Sequence, residues 1–194
     1  MAAPDPSLYI GIDTLANHRP FSYVVLADDC RPVAMGQGRQ GEVMAYLAGQ
    51  HAARVGLNGP LRPRAGVMQR EEARQKLSPP PAPGEWTDAR QCEYELFTRG
   101  LRSPRAAANP ADCPPWMRRG FGIVAFLDRI GFEPFPQESA LQYVEVQAEA
   151  GYASLMDRNP YDAGTLEGRI QRQLALKDAG VNVPDAMDFF EEIT

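Results

Sequence analysis

Lysine is almost missing from this chain: of 20 basic residues, two are lysine and 18 are arginine. Histidine is as scarce, and His18 and His51 have no spacing that suggests a ligand pair or a catalytic triad. The three cysteines, Cys30, Cys92 and Cys113, are odd in number and far apart. They argue against a disulfide framework or a C-x-x-C zinc site and point to a reducing cytoplasm. No apolar run approaches the roughly 20 residues that span a bilayer, so no membrane association is expected. The first residues lack a basic stretch followed by an apolar core, so no secretory signal is expected. A G-x-x-x-x-G-K-[ST] phosphate loop is also missing. This disfavours a sugar-kinase- or actin-like ATPase, which would need two lobes in only 194 residues.

What the chain does have is arginine, unevenly spread. The net charge is −5, yet residues 1–53 carry −2, residues 54–129 carry +5 and residues 130–194 carry −8. Arginine suits bidentate contact with phosphate, so the middle of the chain could meet a nucleic-acid backbone. The overall acidity argues against tight, indiscriminate binding of that kind.

Residues 8–13, Leu-Tyr-Ile-Gly-Ile-Asp, read as a strand covered on both faces that delivers Asp13 to its end. By itself Asp13 could equally start a turn. Residues 21–27 and 31–38 read as two further strands, closing an antiparallel meander. Helical spacing follows over 42–53, then a short strand over 54–58. The stretch from about 62 to 115 is rich in proline and arginine. It reads as an insertion in a single domain, with a helix over 87–99 and a segment poised over a site. Helices are predicted over 116–130, 148–156, 165–179 and 184–192, and a strand over 143–146. Glu145 lies between two valines. Such an acid must be paired, with an arginine for instance, or bound to metal.

Three strands, helix, strand, inserted helices, strand and helices is an order that resembles the RNase H-like fold. That fold is a mixed α/β sheet, an antiparallel three-strand meander plus parallel strands, flanked by helices. The resemblance implies acids on the first, fourth and last strands, here Asp13, Asn58 and Glu145. The chain also resembles the uncharacterised family called domain of unknown function 429, described as predicted RNase H-like nucleases. Gly11-Ile-Asp13, Leu57-Asn-Gly-Pro60, Trp116-Met-Arg-Arg-Gly120, Val144-Glu-Val146 and Thr165-Leu-Glu-Gly-Arg-Ile-Gln-Arg-Gln173 carry that resemblance. This chain departs from the family's pattern in three places. Asn58 stands where Asp is usual, Gln147-Ala-Glu149 replaces His-Pro-Glu, and Asp162-Ala-Gly164 lacks a nearby basic residue.

The resemblance implies a metal-dependent nuclease. Asp13, Glu145 and Glu149 would bind Mg²⁺ or Mn²⁺, with Asn58 as a weak further ligand. Arg64, Arg118, Arg119 and Arg169 would grip the phosphates of DNA or RNA. The blander expectation for Arg118 and Arg119 is a solvated helix face, and for Arg169 and Arg172 an acid on another element. The alternative function is a non-catalytic binding or regulatory protein on the same fold. Nothing in the residues speaks to oligomeric state.

Overall fold

The computed structural model describes residues 8–14 and 20–183. The helix expected over 184–192 and His18 lie outside the described residues.

Alternation of branched and aromatic residues with turn formers builds the first three strands. They are β1 (Leu8–Asp13), β2 (Phe21–Ala27) and β3 (Pro32–Gly38). They pair antiparallel, with Asp13 opposite Ser22 and Phe21 opposite Gly38. Helix α1 (Gln40–Ala48) then crosses over to β4 (Ala53–Asn58), which lies parallel to β1. β6 (Leu141–Val146) runs parallel to β4, and the two-residue β5 (Glu133–Pro134) pairs with β6. The six strands form one mixed sheet in the order β3-β2-β1-β4-β6-β5. β3 and β5 are its edges.

Four helices remain: α3 (Gln91–Thr98), α4 (Pro115–Arg129), α5 (Ala148–Met156) and α6 (Leu166–Asp178), with a short α2 (Glu71–Gln75) before them. Side chains alternate across a strand, so one face of the sheet gathers Ile10, Ile12, Phe21, Val25, Val55, Leu57 and Tyr143. Val43 and Leu47 from α1, with Ile123, Val124 and Leu127 from α4, complete that core. Helix α4 earns its place by spacing. Met117, Gly120, Ile123, Val124 and Leu127 fall on one stripe and are all buried.

The other face is thinly covered. Tyr9, Val24, Met35 and Val146 are exposed there. This corrects the expectation that β1 is buried on both faces, because only Ile10 and Ile12 of the run are enclosed. Its apolar continuity comes from a tyrosine and a glycine on the open side.

Two boundaries also move. Helix α1 stops at Ala48, not 53, because Ala53 is already in β4, its N–H bonded to the Ala140 carbonyl at 2.9 Å. Helix α3 starts at Gln91, not 87, because Arg90 is extended and serves as its N-cap. The stretch 62–115 is less irregular than its composition suggests. It closes a small core of its own from Met68, Leu77 and Tyr94, with Trp86 packed against it. Arg74, buried there, donates to the Met68 and Gln69 carbonyls.

Leu127→Ala, at a position with 0% exposure, is expected to cost about 2–5 kcal/mol in urea unfolding. Met35→Ala, 61% exposed, is expected to stay within about 0.5 kcal/mol of the parent.

Candidate functional site

The C-terminal ends of β1, β4 and β6 lie side by side, and register decides which side chains meet there. Asp13 is opposite Asn58, and Asn58 is opposite Val146. These three share the open face. Glu145 is opposite Leu57, so alternation turns it to the helix-covered face. The structure therefore brings Asp13 and Asn58 together and leaves Glu145 on the far side of the sheet.

On the open face the Asn58 amide nitrogen donates to Asp13 Oδ1 at 3.2 Å. Its amide oxygen faces the Ala148 N–H at 3.5 Å, at the start of α5. Thr14 donates its hydroxyl to the Asn58 carbonyl at 2.7 Å. The first turn of α4 crowds the same end. A Cβ on Gly120 would lie 3.6 Å from Thr14 Oγ1, and one on Gly59 only 3.2 Å from the Trp116 ring. Gly59 also has φ of 125°, a backbone that side chains rarely adopt. The Leu57-Asn-Gly-Pro60 run thus needs its glycine for both conformation and space.

On the covered face Arg90 dominates. Its Nη1 and Nη2 donate to the two Glu145 oxygens at 2.7 and 2.8 Å, and the Leu61 N–H adds a bond at 3.2 Å. Its Nε donates to Glu93 Oε1 at 2.7 Å, while Glu93 Oε2 accepts the Arg90 backbone N–H at 2.9 Å. Glu93, almost fully buried, also accepts the Ala106 N–H at 3.1 Å. Burial works against the charge of Arg90. The bonds and charge of Glu145, and then the bond to Glu93, outweigh it and hold the guanidinium above the usual arginine range. Glu145 is the arginine-paired acid of the plainer expectation.

Beside this pair runs a cleft of about 530 Å³, lined by residues 61–67 and by Arg90, Tyr143 and Glu145, among others. Arg62 donates to Asp128 at 2.9 Å and to the Tyr143 hydroxyl at 2.8 Å, and Tyr143 donates to Asp128 at 2.6 Å. Burial, then the bond to Asp128, pushes the Tyr143 phenol up against the pull of Arg62. Arg64 faces the same cleft with no carboxylate partner among the described residues; its Nη1 reaches the Thr87 carbonyl at 3.5 Å.

The other expected residues are dispersed. Glu149 accepts from Arg172 at 2.5 Å, and Arg172 also donates to the Tyr161 and Gly168 carbonyls at 2.8 Å. This is the acid on another element that Arg172 was expected to find. Arg118 is exposed and donates to the Ala111 carbonyl at 3.3 Å, and Arg119 stacks over Phe21 at 4.2 Å. Arg169 bonds the Gly164 carbonyl on α6, away from the arginine cleft.

The residues present do not fit a divalent cation. Among the described residues no three His, Cys, Asp or Glu side chains are grouped to hold one. Glu145 has both oxygens engaged by one guanidinium, and Asn58 presents an N–H donor, not an acceptor, to Asp13. Arg90, Glu93, Arg62 and Asp128 are absent from the sequence-derived site. One partial signal did exist: Glu93 is the acid that a capping box places three residues after the N-cap, although Arg90 lacks the side-chain acceptor of that motif. Placing the helix start at 87 hid it.

Arg90→Ala leaves Glu145 and the buried Glu93 unpaired, and is expected to cost about 3 kcal/mol in denaturant unfolding. Asn58→Asp sets a second carboxylate against Asp13, which raises the pair's affinity for protons in the folded state. Its stability deficit at pH 7, about 1–2 kcal/mol, is therefore expected to shrink as pH falls toward about 4. Millimolar Mn²⁺ is expected to raise the melting temperature of this variant by about 3 °C or more and to leave the parent unchanged.

Set against known proteins, the chain matches no family model, no curated protein and no solved structure.

Proposed function

We propose that this chain is a non-catalytic binding protein on an RNase H-like sheet, recognising the phosphates of a nucleic acid through the arginine cleft. One observation carries the reading. Glu145, the acid that hydrolysis would require beside Asp13, is held on both oxygens by Arg90 and lies on the opposite face of the sheet.

The meander, the α1 crossover and the parallel β1–β4–β6 trio support the RNase H-like assignment. The resemblance to the domain of unknown function 429 family belongs to the same reading, with the 62–115 stretch as its insertion. Ligands of open α/β sheets sit outside the C-terminal strand ends, which is where the cleft opens. Arg62 and Arg90 are each balanced by an acid. Arg64 is the arginine left to meet an anion, and charge-assisted contact with phosphate is its natural use. An acidic chain with one such contact binds weakly and in a salt-dependent way.

A metal-dependent nuclease is the second reading. It is favoured by the Asp13–Asn58 pair in one register row at neighbouring strand ends.

Both readings are separated by incubating fluorescein-labelled 20-nucleotide DNA and RNA with the protein at about 50 mM salt. Saturable anisotropy is expected, weakened about tenfold by Arg64→Ala and about fivefold on raising the salt to about 300 mM. With Mg²⁺ or Mn²⁺ the oligonucleotides are expected to stay intact. Cleavage that needs Mn²⁺ and disappears in Asp13→Asn would instead establish the nuclease.

A further inference from the structure

The helix-covered face of the sheet is not filled evenly. Opposite β2, the inward positions of β3 are Ala34, Gly36 and Gly38, in rows with Val25, Tyr23 and Phe21. No side chain larger than a methyl group rises from that strand toward α1. The adjacent meander stays wide because Tyr23 and Tyr46 prop the helix away, their rings stacked at 6.2 Å and 28°. What remains is a cavity of about 360 Å³, within the size range of small-molecule sites.

Its chemistry is divided. Ile10, Ile12, Val43 and Leu47, all nearly inaccessible, make an apolar floor. Tyr23, Tyr46 and Glu42 make the polar part of the wall, and Gln37, whose side chain is turned to the other face, borders it. Glu42 is the one charged residue of the lining. Its Oε2 accepts the Arg39 N–H at 2.6 Å, which fixes the carboxylate at the start of α1. An exposed anion that shares the lining with two stacked aromatic rings, over an apolar floor, favours an organic cation over an acid.

We propose that the cavity between α1 and the β1–β3 meander is a binding site for a small organic ammonium ion. The charged head sits between Glu42 and the Tyr23–Tyr46 pair, and the apolar part turns toward the cavity floor. The site is separate from the arginine cleft and carries the opposite charge preference. Gly36 and Gly38 keep the space: a Cβ on Gly36 would lie 3.4 Å from the Tyr23 hydroxyl, and one on Gly38 3.4 Å from Val43 Cγ2.

The probe is choline, compared with its uncharged isostere 3,3-dimethylbutan-1-ol, titrated into the ¹⁵N-labelled full chain. Choline is expected to shift amide signals within residues 10–12, 23 and 36–47 with a millimolar-range Kd, at least tenfold tighter than the isostere. Glu42→Gln is expected to weaken choline at least fivefold and leave the isostere unchanged. Tyr46→Phe is expected to retain choline and Tyr46→Leu to lose it, each variant being checked for a folded spectrum. Gly36→Val, which builds into the space, supplies an independent loss of binding that removes no recognition group. Equal affinity for the two probes, or choline shifts that fall outside residues 10–12, 23 and 36–47, overturns the proposal.

Discussion

The Arg90 guanidinium is the point at which otherwise independent parts of the chain are joined. It reaches Glu145 on the last long strand and Glu93 on its own helix, and Glu93 in turn holds the backbone at Ala106. Glu145 also takes the N–H of Leu61, the first residue of the cleft wall. One ion-paired cluster therefore sets where α3, the 106 segment and the 61–67 loop stand relative to the sheet. Such clusters add little net stability, since desolvation offsets most of the attraction. Their contribution is positional: with each oxygen and N–H directed at a named partner, the long stretch between β4 and α4 has one way to lie.

Residues 8–14 and 20–58 were largely legible in the sequence because each strand there ends at residues that cannot continue it. Gly38 and Asn58 were read correctly as strand ends. The site was half legible. Asp13 and Asn58 follow directly after inward residues, Ile12 and Leu57, so their shared outward direction is written in the pattern. β6 offers no such cue. Leu-Gln-Tyr-Val-Glu-Val reads almost equally well in either register, and one residue of slip exchanges Glu145 for Val146 on the open face. The choice is made by Tyr143, whose hydroxyl finds Arg62 and Asp128 some distance away in sequence. Long-range pairing of that kind has no local trace. The same is true of the core that Met68, Leu77 and Tyr94 form within a stretch whose prolines and charges suggest a loop.

Asn58 changes what the strand ends can do. A second carboxylate at that position would face Asp13 across one hydrogen-bond distance and would need a cation between them to be comfortable. The amide supplies an N–H in that direction and turns its oxygen toward the start of α5. Asp13 thereby accepts a neutral N–H at the point where a second carboxylate would repel it. Two further ion pairs, Arg62 with Asp128 and Glu149 with Arg172, are occupied in the same way. Arg64 stands out because among the described residues it reaches a carbonyl and pairs with no acid.

The two edges of the sheet are unlike each other. β5 is two residues long and ends in Pro134, which has no N–H to offer a further strand. β3 is seven residues long, without a charged side chain, and has Val33 and Met35 exposed on its open side. Edge strands with neither charge nor proline in their interior are the ones that accept another strand. Growth of this sheet is consequently one-sided. Among the described residues β3 is the edge open to a further strand, and Met35→Lys would place a charge on it without touching the core, the arginine cleft or the Asp13–Asn58 pair.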